Sequence, residues 1–157
     1  AGDRLDAARE VLERVRAEAR GPAENFLGAA ALNEAWLAHR LGDNARRDLC
    51  LRDSLQRARD QRARERIRWY PNALSDLLPV ALDRSIEPEV AISLAREFRI
   101  SPSAPHIESW PWPIKIHTLG RFEILLGGQP LRFSRKVPRK ALALLKALVA
   151  MGGKDFH

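Results

Sequence analysis

Five cations fall within nine positions near the end of the chain: Arg132, Arg135, Lys136, Arg139 and Lys140, with no acid among them. Cations at that density neutralise phosphates and can position a polyanion without reading its sequence. A second basic run, QRARDQRARERIR at 56–68, holds six Arg against two acids. Asp60 and Arg64 stand four apart, the spacing of an intrahelical ion pair, so this run reads as a solvated helix face before it reads as a nucleic-acid site. Trp110 and Trp112 flank Pro111. Such a pair could stack on bases or enter a partner's pocket, but in a proline-rich stretch it is expected to pin the chain to a neighbouring surface. Chemistry of other kinds finds little support. His39, His106 and His117 stand alone, without metal-ligand spacing to another His or to paired carboxylates. Cys50 is the only cysteine, which excludes an intrachain disulfide and a cysteine zinc site; among leucines it reads as a small core residue. Nothing arranges Ser, His and Asp as a triad, and no GxxxxGK[ST] phosphate loop occurs. No catalytic residue, metal ligand or cofactor site is assigned, and the chain is not expected to be an enzyme.

The charge is divided unevenly. Residues 1–100 hold 18 Arg, no Lys and 17 acids, whereas 101–157 hold nine cations and three acids, so most of the net +7 lies in the last third. A basic excess confined to one module suggests a polyanionic partner for that module. At 45% hydrophobic and 30% charged residues, the 157-residue chain can bury a core, and it suits one domain or two small ones. Its apolar runs are too short to span a bilayer, and its start has no basic-then-apolar leader pattern. No membrane partner and a cytoplasmic location are therefore expected.

Apolar residues recur at helical spacing through the first hundred positions. The pattern predicts helices over 3–20, 22–41, 44–68, 72–86 and 88–98, with a kink or early break at Pro79. Within ALNEAWLAHRLGDNARRDLCLRDSLQRA, a Gly42-Asp43 turn joins two antiparallel helices, and Ala31, Ala35, Ala38 and Ala45 let their backbones approach closely. This Ala-rich hairpin with LGD at its turn resembles a tetratricopeptide-type repeat, although Arg47 stands where that family has a small residue. One or two such pairs would form the end of a solenoid.

Pro102, Pro105, Pro111 and Pro113 then crowd into twelve positions and predict a semi-rigid extended linker over 101–113. Beyond it the period becomes two. Ile114 and Ile116, then Phe122, Ile124 and Leu126, then Leu131 and Phe133 mark three short antiparallel strands, with Gly127-Gly128 as a hairpin turn. KALALLKALVAM continues as a helix closed by Gly152-Gly153.

The stretch IKIHTLGRFEILLGGQPLRFSRKVPRKALALLKALVAMGGKDF resembles the start of the winged-helix domain of bacterial antibiotic-regulatory-protein-type transcriptional activators. The likeness covers about 113–157. The helical part before it is similar to the regulatory arm of large signal-transducing ATPase-type regulators such as the maltose-regulon activator. The resemblance implies a mainly α chain: tetratricopeptide-like hairpins in a regulatory domain at 1–100, the linker, and an incomplete α+β (β-β-β-α) winged-helix segment at 114–157. It also implies DNA as partner of the intact protein, with Arg132, Arg135, Lys136, Arg139 and Lys140 as phosphate contacts. Any ATP would belong to an NTPase domain outside this sequence. In that family the recognition helix comes third, so the expectation is a fragment of a bacterial transcriptional regulator whose groove-reading helix lies beyond His157. The competing expectation is a protein-interaction or self-association module built from the helices, without DNA binding of its own.

Overall fold

The computed structural model describes residues 2–104, 107–118, 122–133 and 138–152. Within the helix expected over 3–20, the side chains of the apolar residues Leu5 and Ala8 lie outside those described. The chain divides into two compact units, Ala1–Trp110 and Pro111–His157.

Among the described residues the first unit holds six α-helices: α1 (Gly2–Glu18), α2 (Leu27–Leu41), α3 (Asn44–Arg57), α4 (Gln61–Ile67), α5 (Pro71–Asp83) and α6 (Pro88–Glu97). The helix expected over 22–41 begins as a 3-10 turn at Gly21–Phe26 and becomes α-helical only at Leu27. The hub is α2, which packs against α1, α3, α4, α5 and the 3-10 turn. Its composition explains why. Gly28, Ala29, Ala30, Ala31, Ala35 and Ala38 are all buried, so neighbouring backbones come close. Ser54 of α3 donates its hydroxyl directly to the Gly28 carbonyl at 2.9 Å. Around this seam Leu32, Leu51, Leu55, Leu74, Leu77, Leu78 and Leu94 are fully buried, each worth about 1.5–3 kcal/mol.

The α2–α3 turn forms as expected. Gly42 takes the left-handed conformation (φ 76), and the Asp43 carboxylate accepts from the Arg46 N–H to cap α3. Ala45, expected on the facing side, is exposed, so the close approach rests on α2's alanines. Arg47 is buried, its guanidinium held by Asn44 and Asp48.

The single helix expected over 44–68 is two. Asp60 adopts an extended conformation (φ −81, ψ 132) and its carboxylate accepts from the N–H groups of Arg62 and Ala63. An aspartate that can cap a new helix competes with continuation of the old one. That carboxylate is thereby engaged, and the expected Asp60–Arg64 pair does not form. Arg64 reaches α6 instead, with Nη1 2.7 Å from Glu97, while its Nε donates to the Ala58 carbonyl.

Pro79 is buried inside α5 without ending it; the helix runs on to Asp83. Having no N–H, Pro79 leaves the Ser75 carbonyl without its helical donor. The Ser103 N–H fills that role at 3.1 Å, and the Ser75 hydroxyl donates to the Ser101 carbonyl at 2.6 Å. Further on, the Ser109 hydroxyl donates to Asp83, and Trp110 is 3% exposed. The described residues up to Trp110 are thus packed as part of the helical unit.

The second unit holds β1 (Ile114–His117), β2 (Glu123–Leu126), β3 (Gln129–Pro130) and α7 (Arg139–Ala150). The sheet is antiparallel in the order β1-β2-β3, with Ile116 opposite Ile124 and Leu125 opposite Pro130. Gly127 and Gly128 both take positive φ (57 and 87), as a two-residue hairpin requires. Pro130 sits on the edge strand, where a missing donor is tolerated. None of this unit's described residues is buried, and Leu144 on α7 is 62% exposed.

Candidate functional site

A groove of about 610 Å³ opens on the helical unit. Its walls come from four places in the sequence: Val11, Leu12 and Val15 on α1, Phe26 at the end of the 3-10 turn, Ala29, Ala30 and Asn33 on α2, and Tyr70 just before α5. Ala19, Ala29 and Ala30 line it with small side chains, and Glu18 and Asn33 bring side-chain charge and amide to its walls. Val11, Val15, Phe26 and Tyr70 are all exposed. The i, i+4 spacing of Val11 and Val15 puts both on one face of α1. Leu12 and Val15 fall at helical spacing within the helix expected over 3–20, but no local pattern joins them to Phe26 and Tyr70, which arrive from elsewhere in the chain.

Beside the groove lies a strip of aromatic and guanidinium groups. The Arg66 guanidinium carbon stands 4.6 Å from the Phe26 ring centre and 5.1 Å from that of Trp69, which is 64% exposed. Stacking of this kind favours a cation and leaves its N–H edge available. Among the described residues no carboxylate pairs with Arg66. The rest of the 56–68 run is largely engaged within the fold: Arg57 with Asp53, Arg59 with Glu87, Arg64 with Glu97 and Arg68 with Glu65.

Behind α1 a charged network ties three helices. Glu34 of α2 is buried, and its Oε1 accepts from Arg46 Nε of α3 at 2.9 Å. Arg16 of α1 places Nη1 2.8 Å from Glu34 Oε2, a Coulombic contact without hydrogen-bond alignment, and donates Nη2 to Asp53 at 2.8 Å. The Glu34 hydrogen bond, with its charge, raises the pKa of the Arg46 guanidinium. Cys50 is buried nearby, and burial, followed by the Glu34 charge, pushes its thiol up. A thiol held protonated is a packing group and a poor nucleophile.

In the second unit Arg132, Arg139 and Lys140 are exposed, and among the described residues no carboxylate pairs with them. Arg135 and Lys136 lie outside the described residues, so the five-cation cluster is seen only in part. Arg139 and Lys140 open α7, whose first turn contains no acid. Cations at a helix N-terminus face the positive end of its dipole, an arrangement an added anion relieves. The two tryptophans part company: Trp110 is in the core of the helical unit, and Trp112 is half-buried in the second unit. His39 is half-buried and His117 exposed, while His106 lies outside the described residues. Among the described residues no group of three His, Cys, Asp or Glu could hold a metal ion, and no helix is long and apolar enough to cross a membrane.

No protein-family model, curated protein or solved structure matches the chain.

Proposed function

We propose that the helical unit is a protein-interaction module, of tetratricopeptide-like type, whose docking face is the groove between α1, the 3-10 turn and Tyr70. The observation that carries this reading is the contrast within one unit. Its leucine core is fully enclosed, yet Val11, Val15, Phe26 and Tyr70 stand exposed along a single continuous groove. An apolar groove is a form into which a partner helix can lay its apolar face. The charged network behind α1 keeps the groove wall in place while leaving its valines outward. The test is association, with itself or with a co-purifying protein, measured by sedimentation. Val15→Asp abolishes it, and the double change Arg139→Glu with Lys140→Glu leaves it intact. The reverse pattern contradicts the reading.

A second reading concerns the other unit and is favoured by one observation: Arg132, Arg139 and Lys140 are exposed on a β-β-β-α unit, with no carboxylate partner among the described residues. Under it the unit is the beginning of a winged helix in a bacterial transcriptional regulator, its cations contact DNA phosphates, and the helical unit is the arm that carries a signal to it. Binding to duplex DNA then weakens steeply with salt, and the Arg139→Glu, Lys140→Glu variant lowers both the affinity and the salt slope. Duplex binding that is absent, or indifferent to salt, removes this reading.

A further inference from the structure

The groove carries more than apolarity, and its charged margin says what chemistry suits it. Resting on the interaction-module reading, we propose that the groove receives an amphipathic helix with acidic residues flanking its apolar face, an acidic side chain docking on Arg66. Three observations converge. The walls contributed by Val11, Val15, Ala19 and Ala29 are apolar and small, which suits the side chains of one helix face laid along α1. Phe26 joins the groove to the Arg66 stack, so a helix seated in the groove brings its flank to the guanidinium. The Arg66 guanidinium stacks on both Phe26 and Trp69; like Arg62, and unlike Arg57, Arg59, Arg64 and Arg68 of the same run, it has no carboxylate partner among the described residues. A guanidinium held in this way loses little freedom on pairing, and its fork matches a carboxylate. A basic flank would meet Arg66 with like charge. Glu18, which also lines the groove, sets polarity: the acidic flank runs along the Phe26 side and a neutral or basic residue faces Glu18.

The experiment uses the full chain and two labelled synthetic helical peptides with identical Leu and Phe positions, one flanked by Glu and the other by Lys, followed by fluorescence anisotropy. The Glu peptide binds at least about tenfold more tightly than the Lys peptide. Arg66→Gln removes that preference while leaving the residual apolar binding, and Val15→Asp removes binding of both. Circular dichroism confirms that each variant is folded; Arg66→Gln, a change at a surface stack, carries the test if Val15→Asp unfolds. Equal affinity for the two peptides, or binding of neither, overturns the proposal. So does self-association that occupies the groove and is lost in Val15→Asp, but that outcome leaves the interaction-module reading standing. Binding of single-stranded DNA on the Phe26–Arg66–Trp69 strip, lost in Arg66→Gln, would also overturn it.

Discussion

Glu34 shows how much one side chain can hold together. It is a buried carboxylate on the most contacted helix, and its partners Arg16 and Arg46 come from the helices on either side. Glu34→Gln leaves two guanidinium groups facing a neutral amide. Both are about one-third exposed, so the loss is below that of a fully buried pair, about 2 kcal/mol, read as a lowered urea midpoint. Cys50 gives a second residue-scale test. Its thiol is buried and pushed up, so a disulfide reagent modifies the folded protein slowly and urea accelerates the reaction. Modification at the free-thiol rate in native buffer would contradict its place in the core. Glu87 supplies the pH dependence. Hydrogen bonds from Arg59 and then Gln56 hold its carboxyl below the usual carboxylate range. A depressed folded value means that its contribution is present above the ordinary carboxylate pKa and is lost as pH falls through the lowered one. A carboxyl-carbon NMR titration shows this directly, and Arg59→Gln moves the midpoint upward.

At the scale of elements, the local signals were the legible ones. The Gly42-Asp43 turn, the Gly127-Gly128 hairpin and the order of helices followed by strands and a final helix can all be read from neighbouring residues, because backbone chirality and short periodicity determine them. The break at 58–60 was not legible. Ala and Arg favour helix on both sides, and only the competing cap at Asp60 divides α3 from α4. Pro79 misled in the other direction: helix termination was one expectation, yet α5 continues because Ser103 from a distant segment supplies a donor to the carbonyl that Pro79 orphans. Pro79→Ala restores an N–H that competes for the Ser75 carbonyl. Amide exchange at Ser103 then accelerates while that of Leu77 and Leu78 is unchanged; unaltered exchange at Ser103 would show that the segment is held by other contacts. Gly42→Ala tests the turn. Its left-handed φ has open space around it, so the cost of about 1 kcal/mol is backbone strain alone and appears as a lower melting temperature.

At the scale of the molecule, what remained illegible was the groove. Val15 is on α1, Phe26 ends the 3-10 turn and Tyr70 precedes α5, and no periodicity links them; only the packing of α2 against α1, α4 and α5 assembles the surface. The basic excess lies in the last third of the chain, where Arg132, Arg139 and Lys140 are exposed. The helical unit combines a closed leucine core, a charged network that ties α1 to α2 and α3, and a mostly apolar groove. The most direct measurement places a photo-crosslinking side chain at Val15 in one sample and at Lys140 in another. The account predicts a discrete protein adduct, partner or second copy, from position 15 and none from position 140. No adduct from position 15, together with efficient crosslinking of position 140 to duplex DNA, would contradict it.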